Sequence, residues 1–178
     1  MIYNDSSFSP TAADKAGIYY THTYWLLKGP YYKYRGSRTP YQYGYDQGTK
    51  AASAWFDHYW STKIYGKTFF ADIEEGTSND PQSDYYDGWR YFYNGNYYVD
   101  YISNRSVLDG FIDGVNNYIR SSSTDFNPGI YTRLDLWENW FDGADGYNPA
   151  GDLVVWLAGN ACGFNCWASF IIKGRYMA

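Results

Sequence analysis

Lys67-Thr-Phe-Phe-Ala-Asp72-Ile-Glu74 (KTFFADIE) is the stretch from which the fold follows. Its length and its Thr, Phe and Ile content suit a β-strand. It runs into Glu74 and Glu75, two of only three glutamates in the chain. Side chains alternate along a strand, so Phe70, Asp72 and Glu74 share one face while Phe69, Ala71 and Ile73 share the other. The second face is wholly apolar, as packing under crossover helices requires. The first carries two carboxyls at the strand's C-terminal end, where α/β folds hold their sites.

Working outward, other segments rich in β-formers alternate with segments of helical period, which predicts βα units around a parallel sheet. Further strands are expected at Ala16 to Trp25, after a short helix-like stretch Thr11 to Lys15, and at Pro128 to Thr132 and Asp152 to Ala158. Trp167 to Ile172 offers one more. Gln47 to Trp60 places Ala51, Ala54, Trp55 and His58 or Tyr59 at helical spacing, and Arg105 to Arg120 does the same with Val107, Leu108, Phe111, Ile112, Val115 and Ile119. Both read as crossover helices, with a shorter one from Leu134 to Phe141. Trp55, Trp60 and Trp140, on these helices, are assigned to the core. Gly29 to Gly48 reads as a long loop. Gly76 to Asn104 is too long for an ordinary loop, and its Asn94-Gly95 between aromatic runs predicts a β-hairpin.

The chain has 178 residues and carries a net charge of -5, with 23 Tyr, 10 Phe and 8 Trp. Aromatics outnumber Leu, Ile and Val almost two to one, which excludes a disordered chain and places much of the tyrosine on the surface or in a cleft. That composition suggests sugar binding, because flat sugar faces stack on aromatic rings while hydroxyls reach phenol groups. No basic face is available for phosphates, so no nucleic-acid partner is expected. No apolar run reaches the roughly 18 residues of a membrane span, and Met1 to Pro10 lacks the features of a secretory signal. Cys162 and Cys166 read as a local disulfide or two free thiols, since both histidines, His22 and His58, are far away in sequence. No metal and no cofactor are expected.

Two carboxyls two residues apart and partly desolvated repel when both are ionised. One pKa then rises, which suits an acid that holds a proton near neutrality. Asp72 and Glu74 therefore fit glycosidic-bond cleavage. The alternative is that they are ordinary strand-end polar residues that cap the next segment or pair with an arginine such as Arg133. A Ca²⁺ site lacks the spaced oxygen ligands of an EF-hand.

The order of segments resembles the family 25 glycoside hydrolases, lysozyme-like muramidases with a (β/α) barrel, and related hydrolase-like domains. The matching stretches are AADKAGI at 12–18, Ala51 to Trp60, FFADIE at 69–74, Val107 to Ile119, GIYT at 129–132 with Trp137 after it, and VVWLA at 154–158. The resemblance implies Glu74 as general acid and Asp72 as the carboxylate that stabilises the charged intermediate. It also implies that Tyr131 and Trp156 line the sugar site. Glu75, Tyr24, Trp25, Trp89, Tyr97 and Tyr98 complete the expected substrate-binding set, and Tyr85, Tyr86, Tyr91 and Tyr93 share the aromatic segment.

The family's opening strand carries an Asp in a D-x-S pattern, and too few residues precede Ala16 for two strands. Asp5, in Asn4-Asp5-Ser6-Ser7, is either a displaced version of that Asp or part of the loop after a missing second strand, and the loop is the favoured placement. The expected fold is therefore α/β, a reduced or incomplete (β/α) barrel forming one domain over 1–178, with an aromatic hairpin insertion at about 77–104. The expected function is glycan binding, with cleavage of peptidoglycan of the muramidase type. The alternative is a non-catalytic structural or glycan-adhesion module of an extracellular or virion assembly. The expected partner is a cell-wall polysaccharide or other glycan, at an extracellular or cell-wall location, with a phage origin open. An incomplete barrel exposes strand edges that association with another chain or copy would cover.

Overall fold

The computed structural model describes residues 23–59, 68–122, 127–142, 147, 153–158 and 169–172. The helix expected at Thr11 to Lys15, the Asp5 loop, the first part of the strand expected at Ala16 to Trp25, Trp60, Cys162 and Cys166 lie outside these residues. The described fold is α/β. Strands β1 (Thr23–Leu26), β2 (Thr68–Ile73), β5 (Asn127–Arg133) and β6 (Val154–Ala158) run parallel, and β7 (Ser169–Ile172) pairs antiparallel with β6. The sheet order is β1-β2-β5-β6-β7. A separate antiparallel pair, β3 (Arg90–Tyr93) and β4 (Asn96–Val99), forms the hairpin. Asn94 and Gly95 both have positive φ, 48° and 80°, as the two-residue turn read from the sequence requires.

Helix α1 spans Pro40–Tyr59 and α2 spans Tyr101–Ser122. The segment Gly29 to Gly48, read as a loop, is thus helical from Pro40 onward. Thr39 explains the early start. Its Oγ1 accepts from the Gln42 backbone N–H at 3.2 Å, and Gln42 Oε1 accepts from the Thr39 N–H at 3.1 Å. This is a capping box with proline at the first helical position. Asp100 caps α2, its Oδ1 accepting from the Ser103 N–H at 3.0 Å. The short helix after β5 is a single turn, α3 (Leu134–Trp137), followed by a π-helical turn at Glu138–Asp142.

The alternation read for β2 is present. Phe69, Ala71 and Ile73 are buried in a core with Trp25, Leu27, Ile130, Ala51, Val107, Leu108, Phe111 and Val115, so one sheet face packs on α1 and α2. At one end of this core Trp89 stacks on Trp140 at 6.3 Å and meets Phe141 edge-on at 5.1 Å. No helix among the described residues is long and apolar enough to cross a membrane.

Four glycines set the distance between the helices. A Cβ at Gly44 or Gly48 of α1 would lie 1.9 or 2.2 Å from the carbonyl oxygen of Val107 or Phe111. A Cβ at Gly110 or Gly114 of α2 would lie 2.2 or 2.3 Å from that of Tyr41 or Tyr45. Residue numbers rise together along both helices, so they run parallel, backbone against backbone. The seam is fastened at its rim by phenol groups: Tyr41 donates to Asp113 at 2.8 Å, and Asn117 donates to the Tyr45 oxygen at 2.8 Å. Two more phenols donate to carboxylates of the same region, Tyr31 to Asp100 at 2.8 Å and Tyr147 to Asp109 at 2.5 Å.

A glycine-to-alanine change inside a helix ordinarily stabilises it by roughly 0.5–1 kcal/mol. At Gly48 and Gly114 the sign reverses, because the added methyl meets a carbonyl that cannot move without parting the helices. Urea unfolding of Gly48→Ala and Gly114→Ala should show losses of about 1–3 kcal/mol or more. A gain in stability would mean that the seam is looser than described.

Candidate functional site

The site is built on the sheet face away from the helices. Phe70 and Asp72 are buried yet stand outside the helix-packed core, on the opposite face of β2 from Ala71 and Ile73. In the backbone register Leu26 lies beside Asp72, Asp72 beside Tyr131, and Tyr131 beside Trp156. Parallel neighbours in register project to the same side, so Leu26, Asp72 and Tyr131 form one row near the C-terminal ends of their strands. Trp156 occupies the next register position. Tyr24 is half-buried on the same face, paired with Phe70.

Asp72 is 6% exposed, and its Oδ1 has no hydrogen-bond partner among the described residues. Burial pushes its carboxyl up to about 7, and the neighbouring Glu74 carboxylate adds to the rise. Asp72 thus holds a proton close to neutral pH. Glu74, one residue past the strand, is exposed. Tyr131 is half-buried, and its phenol is raised by burial and then by the charges of Asp72 and Glu74. Glu74 acts on both Asp72 and Tyr131, and Asp72 on Tyr131, so the three groups lie near one another.

The alternative reading, a carboxyl pair neutralised by Arg133, does not describe Asp72. Arg133 instead makes a two-point contact with Asp135, Nε to Oδ1 at 3.0 Å and Nη2 to Oδ2 at 2.7 Å. It also reaches Glu75 Oε2 at 3.7 Å. Arg90 Nη2 meets the other Glu75 oxygen at 3.2 Å. Glu75, expected to bind substrate, is therefore held between two arginines.

Two expected sugar contacts are corrected. Trp89 is 0% exposed, packed between Trp140 and Phe141, and presents no ring face to a ligand. Trp25 is 7% exposed and belongs to the helix-side core, because it alternates with Tyr24. The hairpin tyrosines are separated by the same alternation. Tyr98 is exposed and stacks on Tyr91 at 5.5 Å, and Tyr91 in turn lies 4.9 Å from Tyr31. Tyr97, on the other hairpin face, packs on Phe92 at 5.1 Å and under the Arg90 guanidinium at 5.2 Å, and its phenol donates to the Asn79 carbonyl. Trp140 is buried as expected.

The loops around the site are locked by groups the sequence reading did not single out. Asp87, 2% exposed, accepts from the Gly76 N–H at 2.9 Å and the Trp89 N–H at 2.8 Å, and its carbonyl accepts from the Gly29 N–H at 2.8 Å. Lys28, 7% exposed, donates to the Tyr86 carbonyl at 3.2 Å, while its backbone exchanges two hydrogen bonds with the Gln47 amide. Burial lowers the Lys28 pKa, against the opposing pull of Asp87 and Asp84. The only local signal was Asp87, two residues before Trp89, where an aspartate commonly bonds its own downstream backbone. Among the described residues no group of three or more His, Cys, Asp or Glu is arranged to hold a metal ion.

Comparison of the chain with protein-family models, with curated proteins and with solved structures finds no match to any of them.

The raised Asp72 value has a definite sign for stability. Between about pH 4 and 7 the folded chain keeps a proton that the unfolded chain has released, so this carboxyl lowers stability as pH rises through that window and adds no further loss above it. Asp72→Asn should match the parent near pH 4 and gain on it steadily up to about pH 7, as read by thermal unfolding across pH. A pH-independent difference would put the Asp72 titration back at its ordinary value.

Proposed function

We propose that this chain is a glycan-binding domain of glycoside-hydrolase type that cleaves a cell-wall polysaccharide such as peptidoglycan, with Asp72 and Glu74 as its carboxyl pair. The observation that carries the reading is the contrast between the two. One carboxyl is buried, with its Oδ1 unpartnered among the described residues, and protonated near neutrality, and its neighbour is exposed, just past the end of a central parallel strand on the face away from α1 and α2. Glycosidic cleavage needs one group to protonate the departing oxygen and another to support the positive charge on the sugar ring. Burial that raises one carboxyl of a pair divides that labour.

In this reading the pair shares one proton, which rests on Asp72 in the free chain and passes to Glu74, the group within reach of a ligand, which delivers it to the leaving oxygen as the resemblance to family 25 hydrolases implies. Asp72 donates a hydrogen bond in its neutral form and carries negative charge once ionised. Tyr131 borders the pair and Trp156 occupies the adjoining strand end. A barrel-like architecture belongs to the same proposal. It is supported by the sequential neighbours β1, β2, β5 and β6 and by α1 and α2 packing on the same face of the sheet. An extracellular or cell-wall setting follows from the substrate.

The second reading is a glycan-adhesion or structural module without turnover, and the hairpin favours it. Tyr93 and Tyr98 are 62% and 41% exposed on one hairpin face and Phe92 is 52% exposed on the other, and Tyr101 and Ile102 at the start of α2 are exposed as well.

Purified cell walls distinguish the two readings. Clearing of a wall suspension by the parent chain, slowed by roughly 10² to 10⁴-fold in Glu74→Gln with retention on the walls unchanged, is the expected result. Retention without clearing transfers the conclusion to adhesion. In either case Tyr98→Ala should weaken retention by about 1 kcal/mol and leave the thermal midpoint in place.

A further inference from the structure

Glu74 lies between residues whose positions are tied on both sides. Upstream, the Asp72 carbonyl accepts from the Leu27 N–H at 2.9 Å and the Ile73 carbonyl accepts from Thr132 Oγ1 at 2.9 Å. Downstream, the Gly76 N–H is bound by Asp87, and Glu75 is gripped by Arg90 from the hairpin and by Arg133 from the end of β5. Arg90 is itself steadied: its guanidinium lies 5.2 Å from the Tyr97 ring and 5.7 Å from the Trp140 ring, and 3.8 Å from Asp87 Oδ2. Arg133 is fixed by its two-point contact with Asp135. The main chain leaving β2 therefore has little room to turn.

We infer that Glu75, Arg90 and Arg133 form a positioning clamp for Glu74, and that Glu75 acts through this clamp rather than by touching a ligand. The inference rests on the proposed role of Glu74. Its physical basis is that proton transfer is steeply sensitive to placement, so that a displacement of about 1 Å costs on the order of 10²-fold in rate. Glu75 and Arg133 are 42% and 37% exposed at the side chain, and ion pairs this open contribute little to stability. The clamp thus serves direction more than folding, which separates it from an ordinary structural contact.

The test is a double-mutant cycle on the full chain, with Glu75→Gln, Arg133→Met, the two combined, and Arg133→Lys. Turnover of solubilised cell-wall glycan gives kcat and KM, and thermal unfolding gives Tm. A clamp predicts that kcat falls about 10- to 100-fold in each single variant at unchanged KM and Tm. It also predicts that the combined variant is no worse than either single one and that Arg133→Lys recovers part of the loss. A rise in KM at constant kcat would make Glu75 a ligand contact and overturn the inference, as would fully additive losses. Should Arg133→Met lower Tm, the comparison rests on Glu75→Gln and Arg133→Lys, which keep side-chain volume. Turnover by the parent with unaltered variants removes the clamp alone. Absence of turnover by the parent removes the enzymatic reading, and the clamp with it.

Discussion

Contact along the middle of the α1–α2 seam is made through glycine backbone, with side-chain hydrogen bonds at its rim, and this sets how closely the two helices lie. Gly44, Gly48, Gly110 and Gly114 bring two parallel helices to a separation that no other residue permits. At that distance the pair presents a narrow ridge to the sheet. β2 meets the ridge with Phe69, Ala71 and Ile73, a row with alanine at its centre, and Phe69 packs on Phe111 at 6.4 Å. Alternation along β2 then leaves Phe70 and Asp72 on the far face. Asp72 lies there because the helix pair has already occupied the other side.

The site inherits two different kinds of order from this arrangement. Within β2, Asp72 is held by the sheet, and its chemistry comes from desolvation: a buried carboxyl, its Oδ1 unpartnered among the described residues, favours its neutral form. Beyond β2, the order comes from charges and backbone hydrogen bonds contributed by remote segments. Asp87 collects the N–H groups of Gly76 and Trp89, and Gly29 and Gly88 approach so closely that a Cβ on Gly29 would fall 2.4 Å from the Gly88 carbonyl. The loops after β1 and β2 are thus interlocked, and the rim of the site has a fixed shape although it is built from irregular chain.

Local chemistry announced some of this and long-range geometry hid the rest. The two faces of β2, the Asn94-Gly95 turn and the apolar stripe of α2 are periodic or short-range features, and they stood in the sequence as they stand in the structure. The start of α1 did not, because Gly44 and Gly48 among tyrosines look like loop residues when their purpose, proximity to Val107 and Phe111, lies some 60 positions downstream. Trp89 was misplaced on the surface for a related reason. An aromatic run does not reveal which ring turns inward, and here Asn104 fixes the choice by donating to the carbonyls of Trp89 and Trp140, both at 3.0 Å. The clamp on Glu75 joins residues 75, 90 and 133, a spacing with no periodic signature.

The pairing of phenols with carboxylates gives the tyrosine-rich composition a further meaning. Asp100, Asp109 and Asp113 each accept a hydrogen bond from a tyrosine where a lysine would have formed an ion pair. A phenol satisfies the carboxylate without cancelling its charge, so the molecule keeps its net charge of -5 and the mutual repulsion that resists aggregation. An ion meeting a neutral dipole at hydrogen-bond range is also far less exposed to screening than two opposite charges held apart at a surface. These phenol–carboxylate contacts therefore respond less to added salt than the arginine pairs that hold Glu75.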